Sequence, residues 1–173
     1  MPSLLQELLV TWKKSLQAWA AKGSINRAAR DGLALDGEQT RLDQLVSQWS
    51  KGDFSGLPPI ELLDEGAMPG AAGAYAASTG TIYINRDWVS NANKNQVLAV
   101  LTEELGHHLD AVLNRSDTEG DEGELFSKLL LNPHISTTKI ESIRKQDDKY
   151  SINVGGQTLG AEAAVITGTA LAD

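Results

Sequence analysis

The run Glu103-Glu104-Leu105-Gly106-His107-His108-Leu109-Asp110 crowds side chains that can ligate a metal or carry a proton into one short stretch of the chain. Glu103 and His107 are four residues apart, one turn of an α-helix, so both can face a single divalent cation. Glu104, beside the first of them, then occupies the place of a general base. Such a set could carry out hydrolysis, in which a cation activates water and a carboxylate takes the proton and returns it to the leaving group. Asp110, three residues beyond His107, could orient the imidazole from outside the ligand shell.

The helix that must carry these groups is readable from its apolar spacing. Val97, Leu98, Leu101, Leu105, Leu109 and Val112 fall on one arc when successive residues turn by about 100°. Glu103, His107 and Asp110 lie nearly opposite, with Glu104 and His108 on the flank. The pattern predicts a helix that starts after the polar stretch at 90–95 and runs to about Leu113. A polar face opposite an apolar one is also what a solvent-washed helix shows, so the wheel alone leaves both roles open.

Upstream, Leu5, Leu9, Trp12, Leu16 and Trp19 recur at helical spacing, and Gly23 can end that helix. Ser24 is the expected N-cap of a short second helix through Ala28 and Ala29. A third is expected from Glu38 to Ser50, with Leu42, Leu45, Val46 and Trp49 inward. The tryptophans are read as core anchors rather than ligand contacts. After a turn-rich connection, Ile60–Leu63 reads as a short strand and 66–73 as a glycine- and alanine-rich loop. Ala74–Ser78 and Thr81–Asn85 follow as paired strands across Thr79-Gly80. Downstream, Ser136 caps a helix through Ile140 and Ile143, and Tyr150–Val154 with Gln157–Leu159 makes a hairpin around Gly155-Gly156. Together these give an α+β chain, organised as one domain over 1–164 with a helical part (1–52), a motif-bearing part (53–164) and a tail or linker at 165–173.

Composition narrows the function classes. The 173 residues are 41% hydrophobic and 22% charged, in the globular range, and long enough to bury a real core. A formal net charge of -8 argues against nucleic acid and anionic membranes as partners. Absence of cysteine removes disulfides and thiolate metal sites, so a metal must use His, Asp, Glu or backbone oxygens. No window reaches the roughly 18 apolar residues of a membrane span. Gln6 and Glu7 interrupt the only N-terminal apolar run, so a conventional signal peptide is not expected.

The segment Val100-Leu101-Thr102-Glu103-Glu104-Leu105-Gly106-His107 resembles the active helix of the zincin metallopeptidases, whose H-E-x-x-H motif appears in some members as H-E-[IL]-G-H; here a glutamate stands in place of the first histidine. The resemblance implies a zincin-like fold with Glu103 and His107 as ligands and Glu104 as base. It further implies that Thr81–Asn85 is an edge strand holding a peptide or protein substrate by strand addition. In the gluzincin branch the third ligand is a glutamate on the following helix, which points to Glu124 first and Glu122 second in Asp121-Glu122-Gly123-Glu124. Those acidic residues equally suit a capped first helical turn with Asp121 as N-cap. With two carboxylates and one imidazole the shell is harder than the usual one. Zinc is the leading expectation, with manganese or calcium as alternatives.

A wider similarity, over roughly 53–161, resembles an N-terminal domain of large secreted bacterial proteins that carry glycine-rich calcium-binding repeats. It rests on Ala76-Ala77-Ser78-Thr79-Gly80-Thr81-Ile82-Tyr83-Ile84-Asn85, on Glu103 to Asp110, and on Gly120-Asp121-Glu122-Gly123-Glu124. It implies an extracellular setting, with no such repeats in this chain. An EF-hand is rejected at Asp117, Glu119 and Asp121, because Glu122 stands where glycine is needed and Lys128 where glutamate is needed. Di-iron bundles need two E-x-x-H pairs, and Glu104 to His107 is one. A Met-turn cannot follow the helix, since Met1 and Met68 precede it. His134, beside Pro133, reads as a loop histidine. Two readings remain: a metal-dependent peptidase, or a non-catalytic metal-binding or adhesion domain of a larger secreted protein.

Overall fold

The computed structural model of the protein describes residues 4–35, 39–114, 122–132, 134–146 and 149–165. Three helices open the chain: α1 (Leu4–Ala21), α2 (Ser24–Gly32) and α3 (Thr40–Ser50). On α1 the buried stripe is Leu5, Leu8, Trp12, Leu16 and Ala20, with Leu9 and Trp19 only half-buried at its border. Ser24 is the first helical residue rather than the cap. The cap position falls to Gly23, whose φ of 78° belongs to the left-handed region where glycine is unstrained. Glu38 and Asp121, expected near helix starts, lie outside the described residues; of the expected tail at 165–173, Val165 instead ends a strand, paired with Ala71, and the rest lies outside the described residues.

The sheet comprises β1 (Ile60–Leu63), β2 (Ala71–Ala76), β3 (Thr81–Asn85), β4 (Lys149–Val154) and β5 (Gln157–Val165), in the order β1-β3-β2-β5-β4. β1 runs parallel to β3, and the other neighbours are antiparallel. The fold class is therefore α+β, as the sequence indicates. The edge-strand expectation is corrected: β3 is hydrogen-bonded to β1 on one side and β2 on the other, so Thr81–Asn85 has no open edge for a peptide. The expected loop at 66–73 contains a single 3₁₀ turn, Glu65–Ala67, and the first residues of β2. Gly155 and Gly156, at φ 59° and 86°, close the β4–β5 hairpin as a tight two-residue turn.

After the short α4 (Arg86–Val89), the long α5 (Lys94–Leu113) starts in a full capping box. The Asn93 side chain accepts from Gln96 N at 2.9 Å, and the Gln96 side chain accepts from Asn93 N at 3.0 Å. α5 lies on the sheet across β2, whose sequence Ala-Ala-Gly-Ala-Tyr-Ala is mostly too small to hold it away. A Cβ at Gly73 would stand 2.6 Å from Val100 Cγ1 and 3.3 Å from Glu104 Cγ, so only glycine lets the helix settle there. α6 (Glu122–Leu131) covers the other side of α5, and α7 (Thr137–Arg144) packs on α6. The solvent-washed reading of α5 is thereby overturned, because Glu103, Glu104, His107 and Asp110 are all buried.

The principal core joins these layers. Trp12 and Trp49 are fully buried, and Trp12 Nε1 donates to Thr102 Oγ1 at 3.1 Å, tying α1 to α5 beside Glu103. A smaller cluster of Met68, Ala71, Ala74, Ala76, Tyr83, Ile152 and Ala163 forms a separate core. Among the described residues no helix is long and apolar enough to cross a membrane.

Candidate metal centre

α5 and α6 cross where neither has a side chain to keep them apart. A Cβ on Gly106 would lie 2.9 Å from Gly123 Cα, and one on Gly123 would lie 2.5 Å from the Glu103 carbonyl and 2.6 Å from His107 Nε2. The paired glycines thus seat the start of α6 directly on the His107 ring. This contact brings Glu122 Oε1 to 3.1 Å from His107 Nδ1. Of the two candidates on α6, then, Glu122 meets the histidine. Glu124 lies one residue past the crossing and lines a small cleft with Glu103, Ser127 and Lys128.

A further carboxylate arrives from the sheet. β5 pairs with β2 so that Glu162 stands opposite Tyr75, and paired residues share a face. Glu162 Oε2 reaches 2.9 Å from the same His107 Nδ1. Sequence reading passed over Glu162. Its local signal is a lone acid in a strand of small residues, and only the β2–β5 register, set by residues some ninety positions apart, carries it to α5.

Two triads share His107. Ligand atoms of Glu103, Glu104 and His107 lie within 4.8 Å of one another, and so do those of His107, Glu122 and Glu162. The exposures of 7% for Glu103, 0% for Glu104 and His107 and 1% for Glu122 make this a core site rather than a surface patch. Burial pushes the Glu122 carboxyl up to about 8, with the nearby Glu162 charge adding to the rise and His107 opposing it. Asp110, expected to orient His107, accepts from Asn114 Nδ2 at 2.5 Å, while His107 Nδ1 is turned to Glu122 and Glu162.

Next to the centre, Tyr75 Oη stands 2.9 Å from His108 Nδ1, the two rings meeting edge to face. Burial raises the Tyr75 hydroxyl, and the Glu162 carboxylate raises it further, so the hydroxyl keeps its proton; which of the two atoms donates is set by the His108 tautomer. Burial, then the Arg41 charge, pulls His108 down to about 4. His108 is accordingly neutral at physiological pH.

Comparison with known proteins finds no matching family model, no matching curated protein and no matching solved structure. The functional reading therefore rests on the side chains themselves.

Proposed function

We propose that the chain is a metal-binding domain whose centre, built around His107, holds a divalent cation in the core between α5, α6 and the sheet. The observation that carries this reading is the convergence of buried carboxylates from separate elements on one imidazole. Buried carboxylates are tolerated when they take up protons or coordinate metals, and a divalent cation offsets several at once. The donor set fits: one nitrogen and several oxygens suit zinc, and still better a harder ion such as manganese. Glu122 Oε2 is also buried and accepts no hydrogen bond among the described residues. His107, with carboxylates of one of its two triads, would hold the ion. Its contribution would be Lewis acidity together with a cross-link between the two helices.

A peptidase is the second reading, favoured by one feature: Glu104 belongs to the same triad as Glu103 and His107, as a proton-transferring carboxylate must. Against it, Glu104 is fully buried and packed on β2 at Gly73, so a peptide has no seat beside it. That enclosure favours the non-catalytic alternative, a metal-stabilised domain.

Elemental analysis of protein purified without added metal, then soaked with zinc, manganese or calcium, tests the main proposal. Stoichiometric metal in wild type, lost in His107→Ala, is the expected result. No metal in wild type after soaking would overturn it. If hydrolysis of peptide substrates is found, Glu104→Gln should abolish it while retaining the metal; undiminished cleavage removes Glu104 from the chemistry.

A further inference from the structure

The C-terminal hairpin places a carboxylate where neither the α5 motif nor its spacing calls for one. Glu162 Oε2 and Glu122 Oε1 approach the same ring nitrogen, His107 Nδ1, at 2.9 and 3.1 Å. A protonated Nδ1 has a single N–H and makes one well-directed hydrogen bond, so two carboxylate oxygens from different elements are more than it can use fully. A cation in that space serves all three donors at once. Nitrogen and oxygen ligands about 2.0–2.2 Å from a shared metal stand roughly 3 Å from each other, so the donors need little rearrangement.

The surroundings support a built position rather than a chance approach. Glu162 is held in register with Tyr75, which packs in the principal core. Its side chain keeps 20% exposure, against none for His107 and Glu122, so it is the member of this triad with access to solvent. Most of β4 and the first half of β5 are exposed or half-buried; the hairpin contributes chiefly Ile152, Ala163 and Ala164 to the buried interior. A thinly cored hairpin gains most from a polar anchor.

We infer that Glu162 is itself a ligand of the cation, joining His107 through Nδ1 and Glu122, so that the centre is completed by the C-terminal hairpin. This rests on the metal-binding function proposed above. It goes further in assigning a ligand from the sheet and in making metal occupancy and hairpin docking one event.

Absence of cysteine from the chain allows a direct test. Glu162→Cys installs a single thiol, and cadmium is the probe because thiolates bind it through a covalent, ultraviolet-absorbing bond. One equivalent of cadmium should give a sulfur-to-metal charge-transfer band in E162C. The band should be absent from wild type and from the double variant E162C/H107A. In parallel, the near-isosteric Glu162→Gln should weaken manganese or zinc binding roughly tenfold or more. Hydrogen exchange should show β5 amides slowed by metal in wild type but not in Glu162→Gln. Metal bound by wild type and Glu162→Gln with equal affinity, or cadmium bound by E162C without the band, would overturn the assignment while leaving the metal centre standing. Failure of wild type to bind any metal removes both.

Discussion

His107 works at two faces. Its Nδ1 meets carboxylates from α6 and β5, and its Nε2 side is pressed against the Gly123 backbone. Glu122, one of these partners, is sensitive to pH. Its folded-state pKa of about 8 is above the ordinary 4.5, so the native protein holds the extra proton between those values. Stability from this group is complete below about 4.5 and is lost as pH rises through about 8. Metal-free protein should therefore show a melting temperature that falls across that window, and Glu122→Gln, which mimics the protonated acid, should flatten the fall. Thermal melts of the two proteins from pH 5 to 8.5 check this. His108 has the opposite sign. Its folded pKa of about 4 is below the ordinary 6.5, so its contribution is complete above 6.5 and lost as pH falls toward 4. NMR titration of the imidazole should place His108 near 4, and Arg41→Gln, which removes the charge that helps lower it, should move it upward.

At the scale of elements, the glycines at the α5–α6 crossing act as ruler and spacer. Gly123→Ala puts a methyl against the Glu103 carbonyl and the His107 ring, neither of which can move aside without shifting its helix. The expected cost is about 1–3 kcal/mol from overpacking, measurable by urea denaturation, together with loss of metal binding. Gly156→Ala, at a left-handed turn position with open space around it, should cost less and leave the centre intact. Thr102→Val keeps the volume but strands the buried Trp12 N–H, at about 1–3 kcal/mol by the same measurement. These elements differ in how far the sequence reveals them. α5 is legible because its apolar spacing acts locally, although its start at Lys94 behind the Asn93 cap lies inside the polar stretch read as loop, and the β4–β5 hairpin is legible because Gly155-Gly156 specifies its turn. The burial of the polar face of α5 was not legible, since it depends on two glycines on different helices meeting. Nor was the interior position of β3, because parallel pairing with β1 leaves no mark on β3 itself. Glu103, Glu104 and His107 could be named from spacing and resemblance, and Glu122 only as second choice behind Glu124; Glu162 required the sheet.

For the whole molecule, the centre lies where the layers meet: α5 from the middle of the chain, α6 after it, and β5 near the end of the described residues. A ligand that binds only the folded state stabilises it in proportion to the logarithm of its concentration over Kd. Metal should therefore protect all of these elements together. Because ligating carboxylates must give up their protons, that protection should grow with pH just where the metal-free protein weakens. Melting temperatures with and without manganese should diverge progressively from pH 5 to pH 8, and a constant gap would detach the stability change from the buried carboxylates.

The β2–β5 ladder has a register shift between Ala71 and Gly73, beyond which Tyr75 faces Glu162. Side chains alternate across a strand, so a hairpin closed one residue out of step would carry Glu162 to the opposite face of the sheet. The small side chains of β2 would do little to penalise that error by packing. Contact with His107 would penalise it, because only one alignment delivers an acid to the buried ring. The observed register, which brings Glu162 Oε2 to 2.9 Å from His107 Nδ1, is thereby favoured over a one-residue slip.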